Sequence, residues 1–522
     1  MVEAEEKTKS KEQDKGNSFN FDSNDPEGAA SEPDDPKKDG RFINGFDSAY
    51  VLKCLSRNQI GDAELFQAIH RGKLLYDHAA GAWFRWVGHF WEQDKTESYI
   101  TAVQAVCKVY ESELMRMSWR ANGARAKGEP PDKKSEGLEK ALRARLTALQ
   151  CKQRIMDVLT LARAGDELST AGDCWDKNPM LLTCKNGIID LTNGLLRAGS
   201  PIDMNKTSCP IEYQGLDAPR IVWDKFLIEI FDGNLELVSF VQRSLGYCCT
   251  GLVQEHVYPV WYGIGRNGKT TLCETIQQDV LGDYAGVMAI ETVMQQRTDS
   301  APGGARSDLM ALQSKRFMTA SESEEGRKLN VSRIKTLTGG DCISARAVFG
   351  KHQITFAPTH KMILLTNFKP KIPADDFAAW QRILLIPFDL RFVDEPKGPK
   401  DRLKDGAIRT KLQKELPGIL AWLVEGALEW QRIGLKPPES VKVATDAYHS
   451  ENDSLGDFIR DCCKLTGETQ SKILFDAYSE FCQESGLNPL NGNKFSSQMD
   501  MRFDKYPAKR KQFYIGISLV DG

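Results

Sequence analysis

An α/β fold is the expectation for this chain, and three observations carry it. An apolar run over residues 257–262, a glycine-rich turn and a helical spacing over 271–280 follow one another, as when a buried strand feeds a helix. Three later apolar runs, Phe317-Met318-Thr319-Ala320, Met362-Ile363-Leu364-Leu365 and residues 383–388, have the continuous hydrophobic character of buried strands. Residues 463–522 then read as helix, turn, helix and a basic hairpin, the pattern of a winged helix.

The chain is long enough, at 522 residues, for about two to four domains. With 41% hydrophobic and 27% charged residues its composition is that of a globular protein. A formal net charge of -3 excludes a uniformly basic coat, so contact with nucleic acid must come from local patches. The 13 cysteines are scattered without a CxxC, and the 7 histidines have no ligand spacing beside them; reduced thiols in a cytoplasmic protein are expected. No apolar run reaches the length of a membrane span, and the N-terminus is polar rather than signal-like.

Taken in order, residues 1–44 are rich in Glu, Asp, Lys, Ser, Pro and Gly. They cannot bury enough surface to offset their ordering entropy and are expected to be a disordered acidic tail. Residues 45–220 form the next region. It begins with a helix over 64–69 and short paired strands at Leu74-Leu75-Tyr76-Asp77 and Ala82-Trp83-Phe84-Arg85-Trp86, closed by Trp91-Glu92-Gln93-Asp94. Helical spacing over 100–114 precedes an exposed loop at 118–137 and a helix pair at 138–164. Asn186-Gly187, between apolar runs, marks a tight turn, and Thr192-Asn193-Gly194 a second. The tryptophans here are expected in the core rather than on bases. Residues 221–392 open with two amphipathic helices, at 223–231 and 235–245, and hold the strands described above. A charged, loop-like stretch at 390–414 leads to helices over 417–434 and 437–461, so residues 393–462 are a helical connector ahead of the winged-helix region 463–522.

The turn Gly263-Ile264-Gly265-Arg266-Asn267-Gly268-Lys269-Thr270-Thr271 fits the pattern of a glycine, four residues, then Gly-Lys-Thr. Glycines let backbone N–H groups approach phosphate oxygens, and the following helix N-terminus favours negative charge. Lys269 would reach the β/γ-phosphates and the Thr270 hydroxyl would ligate Mg²⁺, so a nucleotide triphosphate, ATP, with Mg²⁺ is the expected ligand. The strand at 317–320 ends in Ser321-Glu322-Ser323-Glu324-Glu325, where one carboxylate is needed to hold the metal shell and polarise water. Glu322 is the first choice and Glu324 the second. Asn367, at the end of its strand, can orient water or sense the γ-phosphate. Arg382, just ahead of the 383–388 strand, is placed to stabilise developing charge. Residues 344–348 and 353–356 flank a basic hairpin tip containing Lys351 and His352. In the C-terminal hairpin Lys505, Lys509, Arg510 and Lys511 cluster for phosphate contact, though such a module can also dock protein.

These motifs, in this order, resemble superfamily 3 helicases, and most closely the phage/plasmid primase-helicase group that includes satellite-phage replication proteins and the poxvirus replicative NTPase. The resemblance covers about residues 60–520. Asn186-Gly187-Ile188-Ile189-Asp190-Leu191, Gly246-Tyr247 with Thr250-Gly251, Leu337-Thr338-Gly339-Gly340-Asp341 and Arg382-Ile383-Leu384-Leu385-Ile386-Pro387-Phe388 look like that group's signatures. It implies an α/β fold with a P-loop AAA+-like ATPase core at 221–392, an α+β N-terminal helicase-associated domain at 45–220 and a C-terminal winged helix. It further implies a ring, expected as a hexamer, on single- and double-stranded DNA, with Arg382 reaching the neighbouring subunit's ATP and the Lys351-His352 tip gripping DNA in the channel. Lys335 is implied, more weakly, to face that ATP as well. The second motif departs from the family in being Ser-Glu rather than two adjacent acids. No metal-binding carboxylate set of a primase is visible, so a primase or polymerase is expected from another polypeptide. The expected function is an ATP-dependent DNA helicase in replication of a phage, plasmid or integrated element. An ATP-regulated origin-binding initiator, or the helicase part of a primase-helicase, stays open beside it.

Overall fold

The four apolar runs and one short strand that the sequence reading did not mark pair into one parallel sheet in the computed structural model: β1 (Tyr258–Tyr262), β2 (Ala285–Val287, the unmarked one), β3 (Phe317–Glu322), β4 (Lys361–Thr366) and β5 (Ile383–Pro387), in the order β2-β3-β4-β1-β5. The structure describes residues 42–43, 45–128, 132–296, 306–322, 324–345, 354–508 and 511–520. Side chains alternate between two cores, one on each face. Trp261, Ile363, Leu365 and Ile386 enter one, and Val260, Met362, Leu364 and Leu385 enter the other. Both faces are covered, which is why these strands read as unbroken hydrophobic runs. The register sets Glu322 opposite Thr366, Thr366 opposite Tyr262, and Tyr262 opposite Pro387, so four strands end in one row.

The chain divides into two compact units, Met1–Asp62 with Ala105–Cys151, and Ala63–Gln104 with Lys152–Gly522. In the first, Asp47 caps the helix Ser48–Ser56 and Asp132 caps Lys133–Ala148. Asp62 is buried and shared by Arg145 and the Tyr110 hydroxyl, so its charge is paired. The expected loop at 118–137 is largely helical: Gln104–Ala126 runs on to Gly128, whose φ of 77° ends it, and the next helix starts at Lys133. The Ala, Arg and Lys of this stretch favour helix without needing an apolar stripe, so its lost periodicity was a misleading signal.

In the second unit Leu74–Asp77, Ala82–Trp86 and Trp91–Gln93 form an antiparallel meander, with Ser169–Thr170 added in parallel. Trp91 and Trp175 are buried in its small core, and the Trp175 indole donates to Asp77 at 2.7 Å. A second meander follows, Leu181–Cys184, Gly187–Asp190 and Leu195–Arg197. Its first turn is centred on Lys185 and Asn186 rather than on Asn186-Gly187, because Gly187 pairs with Cys184. That glycine serves a close approach: a Cβ there would lie 2.6 Å from the Arg197 carbonyl oxygen. Gly194, at φ 74°, supplies the left-handed residue of the second turn.

Helices Leu235–Cys249 and Leu416–Ile433 cross at glycines. A Cβ on Gly246 would meet Ala427 N at 2.2 Å, and one on Gly426 would meet the Gln242 carbonyl oxygen at 2.2 Å. Gly246→Val is therefore expected to cost more than about 3 kcal/mol, since the clash is with backbone and cannot relax by a rotamer change. A thermal melt within a degree or two of the wild type would contradict this. At the end of the first helix Arg316 donates to the Cys249 carbonyl at 2.6 Å, and Lys361 donates to that of Thr250. Two buried basic side chains thus satisfy carbonyls the helix leaves open.

The segment 390–414, expected as loop, holds a parallel pair, Arg391–Val393 with Asp401–Leu403, and the helix Ile408–Leu412. Arg391 and Asp401 bond across that pair at 2.9 Å, a local stabilisation that hydrophobic periodicity does not reveal. The C-terminal part packs Ser454–Cys462, Ser471–Glu484 and Gly492–Asp500 with a three-stranded sheet of Glu468–Gln470, Lys511–Ile515 and Lys505–Ala508 around Phe458, Tyr478, Phe495 and Tyr514. No helix among the described residues is long and apolar enough to cross a membrane.

Candidate nucleotide-binding site

The glycine-rich turn leaves the carboxyl end of β1 and enters the helix Lys269–Glu274 with Gly268 as its N-cap. That helix begins two residues earlier than expected and continues as the wider π-helical segment Thr275–Leu281. Gly263 is required by crowding, since a Cβ would lie 2.2 Å from Asn267 Nδ2 and 2.4 Å from the Phe388 carbonyl oxygen. Gly265 (φ 103°), Arg266 (φ 51°) and Gly268 (φ 86°) are all left-handed, a conformation that turns successive N–H groups into a concave, anion-accepting surface. Arg266 bears this strain with a side chain, as residues at binding sites sometimes do. Asn267 is buried and donates to Phe388 at 3.3 Å, and Phe392 N donates to Arg266 at 2.6 Å, so the turn is tied to the chain beyond β5. Ile264 stands exposed at the tip, and Thr270 is exposed where the helix begins.

Lys269 folds back into the turn, donating to the Gly263 carbonyl at 2.6 Å and to Asn367 Oδ1 at 3.5 Å. The sensor candidate and the lysine, 98 residues apart, therefore meet. Burial lowers Lys269 to about 8, with no carboxylate to hold its charge. A bound polyphosphate would restore the charge, so binding above that pH must take up a proton. Nucleotide affinity is expected to hold below about pH 8 and to weaken up to about tenfold per unit above it. Calorimetry in two buffers of different ionisation heat, at about pH 7 and pH 9, measures both the loss and the proton; equal affinity at the two would contradict it.

Of the two candidate acids, Glu322 is buried at the row end of β3 and Glu324 is exposed. Glu322 Oε1 accepts the Glu324 backbone N–H at 2.7 Å, while Oε2 makes no hydrogen bond. Arg327 lies 3.2 Å from that oxygen, an ion-pair distance without hydrogen-bond alignment. A buried carboxylate oxygen without a hydrogen bond has the chemistry that a hard cation such as Mg²⁺ would need. Arg327 has no sequence signal beyond its place in a charged run. Arg316 and Lys361, both buried in the structure, were likewise not legible as special.

Arg382 sits elsewhere. Tyr258 N donates to its carbonyl at 2.6 Å, which puts it at the amino edge of the sheet, while Lys269 follows the carboxyl edge. Four strand residues separate the edges, about 13 Å of backbone. Its guanidinium donates to the Ala378 carbonyl at 2.8 Å, its Nε has no partner, and no carboxylate among the described residues pairs with it. Lys335 is paired with Asp376 at 2.6 Å. The strands Ile343–Ala345 and Ile354–Phe356 pair antiparallel as the hairpin requires, but Lys351 and His352 at its tip lie outside the described residues, as do Lys509 and Arg510. Lys505 is bonded to Asp500, and Lys511 is exposed.

The family described as "D5 N terminal like" matches residues 63–232, a "Family of unknown function (DUF5906)" matches 261–382, and "Poxvirus D5 protein-like" matches 450–516. The middle match runs from the end of β1 to Arg382 and so holds the lysine, both acids, Asn367 and the arginine. "Putative helicase L207/L206" of Acanthamoeba polyphaga mimivirus is 28% identical over 316 residues, covering 58% of this chain and 32% of the relative. "Putative helicase 022R" of Frog virus 3 (isolate Goorha) is 24% identical over 394 residues, covering 62% and 40%. "Putative primase C962R" of African swine fever virus (isolate Warthog/Namibia/Wart80/1980) is 25% identical over 231 residues, covering 42% and 23%. Among solved structures, the apo C-terminal region of NrS-1 covers 88% of this chain and 99% of its own at 10% identity and a TM-score of 0.46. Its family matches and viral relatives make the chain similar to the phage- and poxvirus-type primase-helicase group. It spans well under half the length of the curated relatives it matches.

Proposed function

We propose that this chain is an ATP-dependent DNA helicase of superfamily 3 that works as a ring, expected to be a hexamer, in replication of a phage, plasmid, integrated element or large DNA virus. The observation that carries the reading is the convergence of Lys269, Asn367 and Glu322 at the carboxyl ends of β1, β4 and β3. The reading takes the sheet as a P-loop AAA+ core and the C-terminal module as a winged helix. ATP lies along the glycine turn, with Lys269 on its β/γ-phosphates, and Thr270 and Glu322 toward Mg²⁺. Glu322 polarises the attacking water and Asn367 orients it. Arg382 serves the nucleotide of a neighbouring subunit, and the Lys351-His352 tip draws one DNA strand. Lys511, with Lys509, Arg510 and Lys505, contacts phosphates from the C-terminal module. Lys505 would first have to leave Asp500.

The test is ATP hydrolysis by size-fractionated protein, with and without single-stranded DNA. Hydrolysis confined to the oligomeric fraction and raised several-fold by DNA is expected. Equal turnover in a monomeric fraction, indifferent to DNA, would contradict the reading.

A further inference from the structure

Two cavities in the N-terminal part of the second unit meet at Asp94 and Lys95, and the proposed chemistry uses neither. One, of about 280 Å³, has Tyr76, Trp83 and Tyr99 in its wall, with Arg163 across from them. The other, a groove of about 650 Å³, runs from Lys95 past Phe90 and Lys206 to the segment Gln313-Ser314-Lys315 just ahead of β3. Tyr99 is half-exposed and stacks on the buried Trp83 with centroids 5.7 Å and planes 24° apart, a two-ring platform.

The charges around this platform are sorted. Glu92 is bonded by Arg85 at 2.6 Å. Asp94 accepts from Thr96, Ser98 and Tyr99, and these bonds hold its carboxyl below the usual range against the opposing effect of burial. Asp283 and Glu97 are the other acids on these walls. Against them stand four cations with no carboxylate partner among the described residues. Lys206 lies over the Trp175 ring at 5.5 Å and Arg163 over that of Tyr76 at 5.0 Å. Lys315 donates to the Asp283 backbone carbonyl at 2.7 Å without an ion pair to its carboxylate, burial lowering its pKa and the Asp283 charge opposing that, and Lys95 is exposed. Both cavities also carry a non-glycine residue in the left-handed region, Glu97 at φ 56° and Ser314 at φ 59°. Such residues concentrate at binding sites.

We infer that these joined cavities are a single-strand nucleic-acid track, with Lys95, Lys206 and Lys315 on the phosphates and Tyr99 under a base. An aromatic platform beside unpaired cations is how sequence-tolerant single-strand binding is built. A duplex keeps its bases stacked inside and offers none to Tyr99. This rests on the helicase reading and adds to it a contact that uses neither the hairpin tip nor the C-terminal module.

The test uses the full chain and fluorescent oligo-dT and oligo-rU of equal length, with anisotropy followed across a salt series. The Lys95→Glu/Lys206→Glu variant is expected to bind at least about tenfold more weakly and to lose about 1.4 from the salt slope, at about 0.7 per phosphate contact. Tyr99→Ala is expected to weaken binding about tenfold with the slope kept, because stacking releases no counterions. ATP hydrolysis without nucleic acid should be unchanged in both and shows that they fold. Tighter binding of one oligomer by the wild type identifies the natural strand as DNA or RNA. Wild-type binding with both variants unaffected would overturn the track alone. No binding by the wild type would overturn the track together with the helicase reading.

Discussion

Arg382→Ala is expected to bind nucleotide and to hydrolyse it on the order of 10³-fold more slowly or worse, the range for a lost arginine finger. The geometry decides which nucleotide this residue can serve. Arg382 lies at the amino edge of the sheet and Lys269 beyond the carboxyl edge, about 13 Å of strand away, so the side chain cannot reach the phosphates of its own chain. A guanidinium is charged at every accessible pH and offers paired donors to developing phosphate charge. Mixing Arg382→Ala with Lys269→Ala should restore part of the hydrolysis, because some interfaces in a mixed ring combine an intact turn with an intact arginine. A residue that only holds its strand would instead lower the melting temperature, and mixing would restore nothing. No recovery at any ratio, with subunit exchange confirmed, would exclude action between subunits.

Glu322→Gln is expected to bind ATP with little loss and to turn it over about 10²-fold more slowly or worse, the magnitude of a lost general base or electrostatic group. The same change at Glu324 should leave activity within about twofold, because that side chain is in solvent and exposed charges are screened. Single-turnover hydrolysis with binding measured alongside separates the two. If Glu324→Gln were the crippled variant, the roles would be exchanged, and the burial of Glu322 would be structural only. Arg327 sharpens the prediction. On the proposed reading its ion pair with Glu322 would have to open or share on Mg²⁺ binding, since the arginine already faces one carboxylate oxygen.

The parts of the fold legible in advance were those built on periodicity and turn chemistry. β1, the glycine turn, β3, β4 and β5 all lie where apolar runs and their polar ends put them. So do the meander of Leu74–Asp77 and Ala82–Trp86 and the helix-helix-hairpin order of the C-terminus. The helix through Ala126 was missed because solvent-exposed helices need propensity rather than an apolar face. The pairing of Arg391–Val393 with Asp401–Leu403 was missed because an ion pair and loop bonds make it. At the site, residue types and spacing led to Lys269, Glu322, Asn367 and Arg382, but not to their mutual positions. Sequence left Glu322 and Glu324 as two choices, and the structure buries the first and exposes the second. Nothing in sequence marks Arg316 and Lys361 as buried donors closing a helix end, because their partners are carbonyls contributed by the fold.

Strand displacement on a forked DNA duplex tests the central claim most directly. The oligomeric fraction of the full chain, given ATP and Mg²⁺, should release the labelled strand. It should release none with a non-hydrolysable ATP analogue, and none when Lys269→Ala replaces the wild type. ATP hydrolysis that proceeds while the fork stays intact, across a range of protein concentrations and with either tail as the loading strand, would contradict a helicase and leave an ATP-regulated DNA-binding protein.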